Sequence, residues 1–96
     1  MEKIIYELGD YSKGFEDGTI AFYKSFEDAK MELIDTLKES IVSYENELDR
    51  CENAEYTQKL CGSIAKLRED IKRAEMATPT NFCTFNQFYI SKSILN

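Results

Sequence analysis

Four carboxylates follow one another at helical spacing in the first half of the chain. They stand at i, i+4, i+7 and i+11 and are called here the acidic stripe: Asp28, Glu32, Asp35 and Glu39. This spacing places them on one face of an α-helix, with neighbours about 5 to 6 Å apart. A row of carboxylates of this kind mimics part of a phosphate backbone and would attract the basic cleft of a nucleic-acid enzyme. The simpler interpretation is a solvated helix face.

The residue types that carry most catalysis are missing or poorly placed. The chain contains no histidine, so it lacks the commonest general base and cannot form a Ser–His or Cys–His pair by itself. The stripe carboxylates should lie on an exposed helix, where no cleft would shift their pKa values. No glycine-rich phosphate loop follows a predicted strand. We therefore predict a protein that is not an enzyme and uses no cofactor.

The cysteines indicate a reducing compartment. Cys51, Cys61 and Cys83 are odd in number and widely spaced, which argues against a disulfide framework and for the cytoplasm. They form no C-x-x-C pair, and without histidine they do not make a zinc site. The N-terminus lacks a signal-peptide apolar region, and no apolar run approaches about 18 residues, so we expect neither secretion nor membrane insertion.

The charge distribution favours a protein partner over nucleic acid. The net charge is −6, which disfavours direct binding to phosphates. Residues 1–55 hold 15 acids and 6 bases, whereas residues 56–96 hold 3 acids and 6 bases. The two halves are of opposite sign, and the simplest explanation is internal: an acidic first helix lies beside a more basic second helix. In the basic half we expect Lys66 to pair with Asp70, and Glu69 with Arg73, along one helix.

The acidic stripe belongs to the first of two long helices predicted between Ser25 and Met76. Ser25 and Asn53 are the predicted N-caps, and the break at residues 49–53 is short enough to make the helices antiparallel neighbours. Apolar residues recur every three or four positions in both segments: Phe26, Ala29, Leu33, Leu37, Ile41, Tyr44 and Leu48, then Tyr56, Leu60, Ile64, Leu67, Ile71 and Ala74.

Three further segments alternate like β-strands: residues 3–8, 19–24 and 82–90. The order strand, strand, helix, helix, strand predicts an α+β fold, in which a three-stranded, mainly antiparallel sheet packs on the long antiparallel helical hairpin. We expect a single domain over residues 1–96, with a β-hairpin at 1–24, the helical hairpin at 25–76 and a third strand at 82–90. Residues 91–96 are expected to be irregular.

Aromatic residues are concentrated in the predicted sheet and its first loop. One helical hairpin can cover only one face of a sheet, so if Phe22 and Phe88 face the helices, then Tyr23, Phe85 and Tyr89 face outward. Such a patch predicts self-association, most simply as a homodimer. The alternative is that the N-terminal loop or the C-terminal tail covers it.

The loop at residues 9–18 is a second candidate contact. It exceeds the usual hairpin length and places Tyr11 and Phe15 among charged residues, which favours a role in partner binding.

In shortness, acidity, lack of catalytic residues and helix–sheet character, the chain resembles small accessory proteins of bacteriophages, including anti-CRISPR and other anti-defence proteins. That resemblance is one of general character, and it implies a non-catalytic inhibitor of a bacterial nucleic-acid-handling or defence complex, acting in the host cytoplasm. Two alternatives stay open: a self-associating structural or assembly protein, and a protein that sequesters a small ligand.

Overall fold

The computed structural model describes residues 3–13 and 18–95, which form an α+β fold. In chain order the elements are β1 (Lys3–Asp10), a 3-10 turn (Tyr11–Lys13), β2 (Thr19–Tyr23), α1 (Phe26–Arg50), α2 (Ala54–Met76), β3 (Phe82–Phe85) and β4 (Phe88–Leu95). The strands form a four-stranded sheet in the order β2-β1-β4-β3, with every neighbouring pair antiparallel. The predicted fold class is confirmed, but the predicted number of strands is wrong.

The helical hairpin begins and ends close to its predicted positions. Ser25 Oγ accepts a hydrogen bond of 3.1 Å from the Asp28 N–H, and Asn53 Oδ1 accepts one of 3.0 Å from the Tyr56 N–H. Both predicted N-caps are therefore confirmed, because each side chain satisfies a helix N–H that has no partner within its helix.

Lys30 connects the first turns of α1 to the C-terminal end of α2 through hydrogen bonds. Its Nζ donates to the carbonyl oxygens of Glu75 at 3.0 Å and Ala77 at 3.2 Å. The last carbonyls of a helix lack hydrogen-bond partners within the helix and carry the negative end of its dipole. The lysine ammonium supplies both a hydrogen-bond donor and a positive charge there. This contact closes the open end of the helical hairpin.

The predicted third strand is in fact a β-hairpin. β3 and β4 are joined by a two-residue turn at Asn86 and Gln87, with Asn86 in the left-handed region at φ 57. Asn tolerates that conformation better than most residues, and two-residue hairpin turns require it. Residues expected to form an irregular tail continue β4 as far as Leu95, which lies opposite Lys3 of β1.

The sheet has an inner face, which packs on the helices, and an outer face on its other side. The inner face and the adjoining helix faces form one core, in which Leu8, Leu33, Leu37 and Ile90 are fully buried. The other buried core residues are Tyr6, Phe26, Ala29, Ile41, Ile64, Leu67, Ile71, Ala74, Phe85 and Phe88. Neither α1 nor α2 is long and apolar enough to cross a bilayer, and the same holds for all described helices.

Candidate interaction surfaces

The acidic stripe lies on the solvent side of α1. All four of its residues are exposed, while the core residues Ala29, Leu33 and Leu37 lie on the opposite side of the same helix. The ion pairs among described residues are Lys30–Glu27 at 3.6 Å and Arg73–Asp70 at 2.9 Å, and neither involves the stripe. Its carboxylates are therefore not neutralised by direct pairing within the described part of the chain.

Tyr23 of β2 lies beside the N-terminal half of the stripe. The pKa of its hydroxyl is raised, first by burial and then by the negative charges of Glu32 and Asp28. Its ring is half-buried and packs against the core. The Tyr23 hydroxyl of the short edge strand β2 is therefore close enough to the acidic face of α1 to be influenced by the stripe carboxylates.

Exposed apolar side chains flank the stripe on its other side. Met31 is 63% exposed and Val42 is 56% exposed. Val42 lines a shallow depression with Asp35, Lys38 and Glu39. Protein interfaces commonly combine an apolar centre that excludes water with charged groups around it. This side of α1 has both components.

Two of the three residues predicted to form an outward aromatic patch face the helices instead. Tyr23 lies opposite Tyr6, and Phe85 lies opposite Phe88, in their respective strand pairs. Directly opposed residues share a face of the sheet, and Tyr6, Phe85 and Phe88 belong to the core. The expected orientation is therefore wrong for β2, where Phe22 faces outward, and for Phe85, whereas Phe88 faces the helices as expected.

Tyr89 does face outward, as predicted, but it is covered. Only 1% of its surface is exposed, because Tyr11 and Phe82 pack against its ring with centroids 5.0 Å and 5.9 Å away. Its hydroxyl donates a 2.8 Å hydrogen bond to Glu7 Oε2, and the Thr19 hydroxyl donates one of 2.9 Å to Glu7 Oε1. Burial, and then the Glu7 carboxylate, raise the pKa of the Tyr89 hydroxyl.

Gly9 makes room for the Tyr89 ring. These two residues lie opposite each other in the β1–β4 pair, and a Cβ added at Gly9 would overlap the ring of Tyr89. The missing side chain lets the aromatic ring approach the backbone of β1 closely. Together with Tyr11 and Phe82, this arrangement makes a firm aromatic platform on the outer face.

The predicted contact loop begins in a fixed position on the sheet. The Tyr11 N–H donates a 2.7 Å hydrogen bond to the carbonyl oxygen of Gln87, and the Tyr11 ring is partly exposed beside Phe82. Phe15 lies outside the described residues, so its predicted role as a contact remains a prediction.

Asp10 holds that loop to the turn between β3 and β4, an arrangement that sequence analysis missed. Its buried carboxylate accepts hydrogen bonds from the Ser12 N–H at 2.8 Å, from the Ser12 hydroxyl at 2.6 Å and from Gln87 Nε2 at 3.0 Å. An aspartate that bonds the backbone two residues later is typical of turns. The contact with Gln87 depends on strand pairing and has no local signature in the sequence.

The basic residues of α2 do not pair as predicted. Asp70 is buried and accepts a 2.9 Å hydrogen bond from Arg73 Nη1 rather than pairing with Lys66. The guanidinium of Arg73 also lies 5.0 Å from the centre of the Phe85 ring and donates to the carbonyl oxygen of Thr84 at 3.3 Å. Arg73 thus contacts both Asp70 and β3, a combination that the spacing along α2 alone does not indicate.

Within the described part of the chain, no three histidine, cysteine or acidic side chains are grouped so as to hold a metal ion. Comparison of the chain with family models, with curated proteins and with solved structures finds no match.

Proposed function

We propose that this chain is a non-catalytic binding protein that inhibits a bacterial nucleic-acid-handling or defence complex in the cytoplasm. It does so by presenting the acidic stripe of α1 to a basic surface of its partner. The observation that carries this proposal is the exposure of four carboxylates on one helix face, unpaired with any described cation. The resemblance to phage anti-defence proteins supports the same class of partner.

The length and spacing of the stripe suit a surface that normally holds a nucleic-acid backbone. Its first and last carboxylates are 11 residues apart, which corresponds to about 16 Å along a helix. A basic groove built for phosphates would meet successive negative charges about 5 to 6 Å apart. Complementary charge of this kind accelerates association and fixes orientation more than it adds affinity.

The helix that carries the stripe is rigidly held before any partner binds. Ser25 caps its N-terminus, Lys30 ties it to α2, and its opposite face is anchored by fully buried residues such as Leu33 and Leu37. Binding therefore requires little ordering of the backbone, which reduces the entropic cost of association. The apolar side chains of Met31 and Val42 supply the adjacent surface from which water can be excluded.

The test compares two variants of equal charge. In the first, all four stripe residues are replaced by serine. In the second, four exposed acids elsewhere are replaced by serine: Glu45, Asp49, Glu52 and Glu69. Each protein is used as bait in a nuclease-treated bacterial lysate at low and high salt, and captured proteins are identified by mass. We expect the natural chain and the second variant to capture a nucleic-acid-binding protein that elutes with salt, and the first variant to lose it.

A competition experiment sharpens the result. If the stripe occupies a nucleic-acid site, an added DNA or RNA duplex should displace this chain from the captured protein, with a midpoint that depends on salt. Capture that survives replacement of the stripe, or that is equally weakened by the control substitutions, would contradict the proposal. The control matters because both variants change the net charge by the same amount.

A further inference from the structure

The outer face of the sheet exposes a group of apolar side chains and carries few charges. Phe22, Phe82, Leu95 and Tyr11 all expose a third or more of their surface there, and Ile5 lies between them, half-buried. The strand pairing places Phe22, Phe82, Leu95 and Ile5 on the side of the sheet opposite the helices. Tyr11 lies on the same side because it packs on Tyr89. Single exposed apolar residues are ordinary, but a group on one flat face indicates an interface.

The carboxylate of this face, Glu7, is already satisfied within the chain. Both carboxylate oxygens of Glu7 accept hydrogen bonds, one from Tyr89 and one from Thr19. The remaining described positions of the face on β4 are small hydroxyl residues, Ser91 and Ser93. A surface of this kind can be removed from water without leaving a carboxylate that has lost its partners.

The charge of the outer face argues for a second copy of this chain as its occupant. The described face carries one carboxylate, Glu7, and has Lys3 and Lys24 at its end, whereas the whole chain carries −6. The segment of α1 has eight acids and three bases, so two copies that met through α1 would repel each other. Two outer faces can approach without that repulsion.

The dimensions of the sheet are compatible with a modest dimer. The four strands contribute 8, 5, 4 and 8 residues. At about 3.4 Å per residue and about 4.8 Å between strands, this gives a sheet of roughly 400 Å². Protruding side chains increase the accessible area, so two faces together would bury on the order of 1,000 Å², near the lower limit for specific interfaces.

We propose that the outer face of the sheet is a homodimer interface on which a second copy of this chain packs sheet against sheet. The two sheets lie about 10 Å apart around a two-fold axis, with a helical hairpin on the outside of each. The dimer leaves both acidic stripes at the surface, so it does not depend on the proposed inhibitory function. It differs from the predicted self-association patch because Phe22 and Phe82 replace Tyr23 and Phe85 in the contact.

Sedimentation equilibrium of the full chain, over about 1 to 200 µM, tests the dimer directly. The decisive variant is Phe22→Lys, because position 22 lies opposite Glu7 and a lysine there can pair with it without disturbing the fold. The matched controls are Met31→Lys and Val42→Lys. Phe22 is 59% exposed, which lies between the exposures of Met31 and Val42, but the control residues lie on α1.

We expect twice the mass of one chain for the natural protein and for both controls, and a dissociation constant at least about 30-fold higher for Phe22→Lys. Circular dichroism of each variant checks that it has folded. A natural chain that stays monomeric over the whole range would overturn the proposal. So would controls that dissociate as much as Phe22→Lys.

A second variant reports from within the interface. The chain has no tryptophan and six tyrosines, so Phe82→Trp introduces a single tryptophan on the outer face, whose emission is distinct from that of the tyrosines. Its emission should shift to shorter wavelength as concentration rises, with the same midpoint as the change in mass. A doubled mass with unchanged emission would place the contact elsewhere and contradict the interface. Phe22→Lys leaves the acidic stripe intact, so this variant should still capture the partner in the lysate assay. Loss of the dimer with capture retained therefore distinguishes the dimer interface from the proposed inhibitory function.

Discussion

The two faces of the sheet are built from alternate residues of the same strands, yet they are stabilised in different ways. On the inner face, Leu8 and Ile90 lie opposite each other and are fully buried against the helices. On the outer face, Tyr89 is nearly as buried, but it is held by a hydrogen bond to Glu7 and by contacts with Tyr11 and Phe82. The inner face depends on removing apolar surface from water, whereas the outer face depends on directional contacts.

This difference explains why the two faces suit different roles. Close packing on the inner face makes changes of volume costly, so this face is suited to holding the acidic helix in place. The outer face is rigid at its centre, where Gly9 and Tyr89 meet, but leaves Phe22 and Phe82 exposed at its margins. Such a surface can accept a partner without reorganising.

The largest effect that separates the two faces should come from truncating Leu8. Leu8→Ala leaves a cavity in the core and should lower the free energy of unfolding by about 2 to 5 kcal/mol. Ile5→Ala, on the outer face of the same strand, should cost about 1 kcal/mol or less, because Ile5 is only half-buried. Urea denaturation at low micromolar concentration measures both, and equal losses would contradict the contrast between the faces.

The features that could be predicted from the sequence are those with local signatures. Ser25 and Asn53 precede helices whose apolar residues recur at three or four positions, so the hairpin and the exposure of the stripe follow from residues close in sequence. The turn at Asn86 and Gln87 was missed because it contains no glycine and because aromatic residues stand directly on both sides of it, so residues 82–90 resemble one continuous strand.

The orientation of β2 and the position of Tyr89 required information that no local pattern contains. β2 has apolar residues at consecutive positions, so either Phe22 or Tyr23 could have faced the helices, and pairing of Tyr23 with Tyr6 decides between them. The hydrogen bond from Tyr89 to Glu7 joins residues 82 positions apart. It exists because β4 pairs with β1, and no local pattern specifies whether the strand that carries Tyr89 pairs with the first or the second strand.

A substitution with a smaller expected effect on stability tests the aromatic platform of the outer face. Gly9→Ala should lower the free energy of unfolding by about 1 to 3 kcal/mol, because the new methyl group would overlap the Tyr89 ring and force it to move. The same substitution should be nearly neutral in a Tyr89→Ala background, where the ring is absent. A double-mutant cycle measures this coupling. If Gly9→Ala costs as much without the ring as with it, the cause is the backbone rather than the platform.

The smallest expected effect is a pH-dependent contribution of Tyr89, on the outer face, to the free energy of unfolding. Burial and the Glu7 carboxylate raise the pKa of Tyr89 above its usual value of 10.0 in the folded protein, so folding favours the protonated hydroxyl. The protonated Tyr89 hydroxyl therefore contributes its full stabilisation below about pH 10. This stabilisation is lost as the pH rises through the pKa that the hydroxyl has in the folded protein. At neutral pH, Tyr89→Phe should cost about 1.5 to 2 kcal/mol, the lower part of the range for a hydrogen bond to a charged group.

Above about pH 10 the stability difference between the natural chain and Tyr89→Phe should shrink and then reverse, since phenylalanine does not ionise. Tyr23 also has a raised pKa, but it is present in both proteins and its contribution cancels in the comparison. Urea denaturation at intervals between about pH 7 and 11 measures the difference. A difference that stays constant over this range would mean that the Tyr89 hydroxyl is not held by Glu7, and the outer face would then be stabilised by apolar contact alone, as the inner face is.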